Sequence, residues 1–370
     1  MANNLFSPIQ IGSLHLKNRI FMAPLSRYRA EISTEIPTDL MVEYYAQRAS
    51  AGLIFAGAAV IAPKTLNGAS QPGIYTEEQL AGWKKVTDAV HAKGGKIFAQ
   101  LWHPGRAAQP DLNDGTKSVA PSAIAIERET HRMDGPKAYT PQHEAVSSVR
   151  PEDTSLTADE IATLVQQYAT AAKNAVEVAG FDGVEIHAAN GHLIDQFLSS
   201  SSNIRTDNYG GSLENRARFA TEVVQVVTKA IGSDKVGIRF SPLGSFNSIN
   251  DDDPEGISEY VARLSQRFNL AYVHVVRRDF FGVRQGDIVP IFRQHFTNTL
   301  VSNLGFTKDE ANAEIEAGNI DAVSFGQLFI ANPDLVERFA KDAELNTPDR
   351  STFYTGGAKG YTDYPKLAQA

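Results

Sequence analysis

An α/β barrel of eight strands, each followed by a helix, is the fold that these 370 residues predict. Three observations carry that prediction. Eight short apolar, β-branched runs recur along the chain: "RIFMAPL" (19–25), "GLIFAGAAVIA" (52–62), "KIFAQLWH" (96–103), "GVEIHAA" (183–189), "VGIRFSP" (236–242), "AYVHVV" (271–276), "TLVSNL" (299–304) and "DAVSFGQ" (321–327). Most are separated by segments of helical periodicity with explicit start and stop signals. The runs are apolar along their whole length, which implies strands buried on both faces, and strands that alternate with helices pair in parallel. Eight such units fit a closed (β/α)8 TIM barrel better than an open sheet.

Taken in order, the opening "LFSPIQIGSLHLKN" alternates apolar and polar residues around a glycine, so residues 1–18 are expected to form a hairpin closing the barrel bottom. Thr76 with Gln79, Thr157 with Glu160 and Thr307 with Glu310 read as capping boxes, each pair satisfying free N–H groups at a helix start. Gly94, Gly180 and Gly318 fall where helices should end, because glycine takes the left-handed cap conformation cheaply. Between the third and fourth strands only 157–179 reads as helix. Residues 104–155 are rich in Pro, Gly, Ser and charge and are expected to be a loop excursion over the barrel mouth. The tail "TFYTGGAKGYTDYP" is too specific in composition for a disordered end, and 1–370 reads as one barrel domain without repeats.

Composition bounds the function. A hydrophobic content of 42% is ample for a core, and a net charge of −8 leaves no electrostatic footprint for nucleic acid or an anionic membrane. Cysteine is absent, which excludes disulfides, thiolate metal sites and a cysteine nucleophile. No apolar run reaches about 18 residues, and "MANNLFSPIQIG" lacks the basic start of an export signal. The expectation is a cytoplasmic monomer or homodimer acting on a small molecule.

In such a barrel, chemistry collects at the C-terminal ends of the strands. Ser26 and Arg27 follow the first strand, Gln100, Trp102 and His103 end the third, His187 and Asn190 the fourth, Arg239 and Ser241 the fifth, and Asn303 and Gln327 the seventh and eighth. A buried Gln100, His187 or Arg239 without a partner would cost several kcal/mol, so core packing alone does not explain this convergence. Gln100 could instead satisfy loop backbone, Trp102 could be a core aromatic, and Arg239 needs either a ligand or an internal carboxylate. His187 and His192 do not share a helix face, and no HExxH or carboxylate–histidine cluster surrounds them, which argues against a metal. His91, His131, His143, His274 and His295 read as structural or surface residues. No Walker A, GxGxxG or GxSxG pattern occurs.

The segments "RIFMAPLSRYRA", "YYAQRASAGLI", "FAQLWHPGR", "AGFDGVEIHAANGHLIDQFL", "RTDNYGGSLENRARFATEVV", "VGIRFSP", "FIANPDL" and "TFYTGGAKGYTDYP" carry a resemblance that runs almost end to end. The chain resembles the Old Yellow Enzyme family of flavin-dependent alkene reductases, of the N-ethylmaleimide reductase type. The resemblance implies FMN at the barrel mouth and reduction of activated C=C bonds with NAD(P)H as hydride donor. It places Pro24, Leu25, Ser26, Ala58, Gln100 and Arg239 on the flavin ring, and Asn303, Leu304, Gly326 and Gln327 around its phosphate. It assigns Trp102 and Tyr354 to the substrate and makes His187 and Asn190 the hydrogen-bond donors to the substrate carbonyl.

Departures from the family pattern cluster on two functions. His192 stands where the family has the tyrosine that protonates the substrate. A neutral imidazole is a poor acid, whereas an imidazolium of ordinary pKa near about 6.5 is a better one than a phenol near about 10. Asn303-Leu304 stands where paired glycines approach the phosphate, and Gln327 where an arginine is usual. Losing that cation forfeits roughly 1.5 to 3 kcal/mol of charge-assisted bonding. The "FAGAAV" of the second strand lacks an acidic residue expected near Ala56 or Gly57, and Arg277 and Arg278 are unusual after the sixth strand. These departures leave an alternative from another class: a flavin-poor barrel that binds or isomerises a carbonyl ligand through His187, Asn190 and His192.

Overall fold

A computed structural model describes residues 4–126 and 155–368. Residues 9–16 form an antiparallel hairpin of β1 (Ile9–Ile11) and β2 (Leu14–Leu16). The barrel strands follow as β3 (Ile20–Met22), β4 (Ile54–Phe55), β5 (Ala59–Val60), β6 (Ile97–Trp102), β7 (Gly183–Ala188), β8 (Val236–Phe240), β9 (Tyr272–Val276), β10 (Thr299–Asn303) and β11 (Ala322–Phe325). All pair in parallel in the order β4-β3-β11-β10-β9-β8-β7-β6-β5. A further β4–β6 pairing closes the ring, so β4 and β5 are two pieces of one stave.

That stave breaks where the sequence shows one continuous apolar run. A Cβ on Gly57 would lie 2.4 Å from the Leu25 carbonyl oxygen, so the chain there passes against the end of the first stave, and Gly57 N–H donates to the Tyr45 hydroxyl (2.8 Å) instead of to a ladder partner.

Helices α1 (Asp39–Gln47), α2 (Glu77–His91), α3 (Ala158–Glu177), α4 (Leu193–Leu198), α5 (Leu213–Arg216), α6 (Arg218–Ile231), α7 (Pro254–Arg267), α8 (Val289–His295), α9 (Lys308–Glu316), α10 (Gln327–Ala331) and α11 (Leu335–Ala340) surround the strands. Thr76 and Thr157 complete their capping boxes. Thr307 receives the Glu310 N–H, but the Glu310 carboxylate does not return the bond; it is engaged by Arg277. Gly94, Gly180 and Gly318 all have positive φ, as the caps require.

Two apolar layers fill the interior. One lies between strands and helices. The other floors the barrel with Phe21, Phe55, Phe98, Tyr272 and Val301, onto which Ile11 and Leu16 of the hairpin pack. Small residues face the rings: a Cβ on Gly237 would stand 2.0 Å from the Tyr272 ring. Each fully buried aromatic contributes about 1.5 to 3 kcal/mol of transfer free energy. Of the expected excursion 104–155, residues 127–154 lie outside the described residues. Its two ends meet in a bridge between Ala120 and Ser155.

Candidate active site

Side chains alternate along a strand, so Gly183, Glu185 and His187 of β7 share the inward face. Glu185 is fully buried above the aromatic floor. It accepts from Gln100 Nε2 (2.8 Å), His274 Nδ1 (2.8 Å) and the Tyr272 hydroxyl (3.3 Å), while His274 Nε2 accepts from Ser324 Oγ (2.7 Å). Burial holds His274 below its ordinary pKa against the opposing pull of Glu185, so the ring is a neutral bridge. Burial and then Glu185 push the Tyr272 phenol well up. Sequence reasoning missed Glu185 inside an apolar run. Its position two residues before His187 was the available signal.

Arg239 lies beside this network. Its Nη2 donates to Asn303 Oδ1 (2.7 Å), Asn303 Nδ2 donates to the Ser324 carbonyl (2.7 Å), and Arg239 Nε is buried without a partner. Burial lowers its pKa, and the nearby Glu185 opposes that shift without bonding to it. Among the described residues no carboxylate satisfies this guanidinium by a hydrogen bond, so the buried Nε–H is left to offer to a ligand. Half-buried Pro24, Leu25 and Ser26 follow the first stave, and the Ala58 carbonyl accepts from Gln71 Nε2 (3.2 Å).

The turn after β7 brings His187, Asn190 and His192 together. His192 Nδ1 lies 3.2 Å from the Ala189 carbonyl and 3.1 Å from His187 Nε2. A carbonyl only accepts, so a proton on His192 Nδ1 satisfies both contacts; in that tautomer His187 Nε2 accepts and the neutral His187 ring carries its proton on Nδ1. That Nδ1 is buried without a partner, and so is Asn190 Oδ1. Burial, then the neighbouring His192, hold His187 well below the usual imidazole pKa. Trp102 is buried with its ring edge-on to His192, centroids 5.0 Å apart, and its Nε1 also lacks a partner. No third histidine, carboxylate or thiol joins the two histidines in a metal-holding group among the described residues.

Asn190 holds φ +57° in this turn, fixed by Asn190 N–H on Ser241 Oγ (2.7 Å) and Asn247 Nδ2 on the Asn190 carbonyl (3.0 Å). Asp195 accepts from Gly191 N–H (2.8 Å) and Ser241 Oγ (3.4 Å), and burial pushes its pKa up to about 7.

The other end of the mouth differs from expectation in detail. Asn303 ends β10 with its side chain on Arg239, and left-handed backbone falls instead at Leu304 (φ +87°) and Gly305 (φ +74°). A leucine there holds a conformation that suits glycine, at a strain of roughly 1 to 2 kcal/mol. Gly326 is half-buried and Gln327 exposed at the start of α10.

Arg27, a candidate on position alone, is engaged elsewhere. It donates to the Phe353 and Gly360 carbonyls (2.9 and 2.8 Å) and stacks near the Phe353 and Tyr361 rings. Arg29 and Arg48 grip the same tail through the carbonyls of Thr352, Phe353 and Tyr361. This anchors Tyr354, whose ring lies 5.7 Å from Tyr28.

Fold and mouth together define a TIM barrel that presents, at the C-terminal ends of its strands, a guanidinium nitrogen of Arg239 and a ring nitrogen of His187, both buried and without a partner among the described residues. The chain belongs to the NADH:flavin oxidoreductase / NADH oxidase family, whose model matches residues 4–346. It is similar to a probable flavin mononucleotide-dependent alkene reductase of Leishmania infantum, 45% identical over 98% of this chain and 97% of that one. It is also similar to the putative 12-oxophytodienoate reductase 11 of Oryza sativa subsp. japonica, at 41% identity over 98% and 97% of the two chains.

Among solved structures, the old yellow enzyme from Trypanosoma cruzi superposes with a TM-score of 0.92 at 39% identity, covering 99% of each chain. Morphinone reductase gives 0.88 at 43% identity over 99% of this chain and 97% of that one, and has also been solved in complex with tetrahydroNAD. FMN, the cofactor of this family, fits the residues present: Arg239 Nε, Trp102 Nε1 and Gln71 Oε1 are buried polar atoms without partners at the mouth.

Proposed function

We propose that the chain reduces activated C=C bonds of α,β-unsaturated carbonyl compounds, with NADH or NADPH as electron source. In this reading Pro24, Leu25, Ser26, Ala58, Gln100 and Arg239 hold the ring of FMN, and Asn303, Leu304, Gly326 and Gln327 border its phosphate. Bound there, FMN supplies hydride transfer between nicotinamide and alkene. The nicotinamide analogue held by morphinone reductase supports that source.

The observation that carries the reading is the buried, unpartnered Nδ1 of His187 beside Asn190. Donation from His187 and Asn190 to a substrate carbonyl draws electron density from the alkene and stabilises the enolate that forms. Trp102 and Tyr354 flank the substrate. His192 delivers the proton to the substrate carbon. Its Nδ1–H is committed to the Ala189 carbonyl, so the deliverable proton is the one that the imidazolium carries on Nε2.

Purified protein loaded with FMN should be yellow, bleach with NADH or NADPH, and recover its colour with cyclohexenone. Colourless protein that ignores added FMN would favour the non-redox alternative. Reoxidation by the enone, followed by stopped-flow absorbance, should slow as pH rises, because only the imidazolium form of His192 is the acid. His192→Ala should slow it by about a hundredfold, the lower range for general acid catalysis, and His192→Tyr should restore it with a flat profile below pH 9. A pH-independent wild type with an unimpaired alanine variant would remove His192 from the reaction.

A further inference from the structure

Gln327 is a neutral residue at the stave end that borders the phosphate, so the dianion needs its cation from elsewhere. We propose that Arg277 and Arg278, at the end of β9, form the cationic clamp on the phosphate monoester of FMN. This deepens the flavin reading and rests on it.

Arg277 is already positioned. Its Nε donates to the Leu304 carbonyl (2.9 Å), its Nη1 to Glu310 Oε1 (2.7 Å), and its guanidinium carbon sits 3.5 Å from the centre of the Phe306 ring. The remaining Nη2 is buried without a partner among the described residues. Three contacts therefore fix the fork and leave one edge to offer.

That edge faces Gly305. The Cβ position on Gly305 lies 3.9 Å from Arg277 Nη2 and 3.9 Å from Arg278 Nη1, with nothing else beyond its chain neighbours within 4 Å. Two guanidiniums thus converge beside the left-handed turn of Leu304 and Gly305. Glu310 reaches both arginines (2.7 and 3.7 Å), so two cations share one carboxylate and one positive charge is left over. Glu310 also forgoes the return bond of its helix cap to hold Arg277. A guanidinium held on two sides loses little freedom when an oxyanion binds the third, which is the condition for a strong charge-assisted contact.

The test is titration of the full-length protein, stripped of flavin, with FMN and with riboflavin, followed by quenching of flavin fluorescence. Riboflavin has the ring and lacks the phosphate. Arg277→Gln and Arg278→Gln should each weaken FMN severalfold, and together by about tenfold or more, with riboflavin affinity unchanged. Adding Gln327→Arg to the double variant should restore the preference for FMN. Equal losses for FMN and riboflavin, or an unchanged ratio, would overturn the clamp. A change confined to the ratio of KM for NADPH to KM for NADH would assign the arginines to the nicotinamide's phosphate and also overturn it. If the unsubstituted chain bound neither flavin, the flavin reading itself would fall, and the clamp with it.

Discussion

Asp195 joins the site's chemistry to its stability. The carboxyl receives the Gly191 N–H and Ser241 Oγ that shape the turn carrying Asn190, and burial raises its pKa from 3.8 to about 7. A carboxyl raised in the folded state contributes stability that is fully present below its unfolded pKa and is lost as pH rises through the folded value. The wild type should therefore weaken between about pH 4 and pH 7 relative to Asp195→Asn, which stays neutral throughout. The gap should level off above pH 7 at no more than about 4 kcal/mol. Urea unfolding of both proteins at pH 5 and pH 8 measures it, and an equal gap at the two pH values would show that Asp195 does not titrate in this window. Residues of this kind were hard to read in the sequence. His187, Gln100 and Arg239 stood out because they end apolar strands, and the structure brings them to one mouth. Glu185 and Asp195 stay hidden because their significance comes from neighbours on other staves and loops, such as Gln100, His274 and Ser241.

For the elements, legibility followed range. The caps at Thr76 and Thr157 and the terminating Gly94, Gly180 and Gly318 are decided within a few residues, and they formed as read. The break between β4 and β5 is decided by the Leu25 carbonyl, far away in sequence, so no local pattern announces it. Gly57→Ala should consequently destabilise the barrel by about 2 kcal/mol, since the added methyl meets backbone that cannot yield. A melting temperature unchanged from wild type would mean that the two staves can separate at that point without loss. Thr307 shows the limit of a local motif: the sequence pair is present, but Arg277 from another stave competes for Glu310 and takes it.

Across the molecule, closure at the bottom and anchoring at the top use different forces. The hairpin seals the floor with apolar side chains. The tail is held at the mouth by three buried guanidiniums, Arg27, Arg29 and Arg48, acting on main-chain oxygens of residues 352–361. Removing residues 350–370 would take most acceptors from Arg27 and Arg29, while Arg48 would lose only the Tyr361 carbonyl and keep those of Tyr44, Phe329 and Ile330; each charge-assisted bond is worth about 1.5 to 3 kcal/mol. The truncated chain should fail to give a cooperative thermal transition by circular dichroism. A melting curve like that of the intact chain would show that the arginines find other acceptors.

Because these arginines hold peptide oxygens, and the tail rings they lie over are those of Phe353 and Tyr361, the grip does not depend on which side chains stand between those two. Tyr354 and the others between them can therefore be exchanged during divergence without unfastening the segment that carries them, so new ligand preferences can be sampled on a scaffold that stays closed.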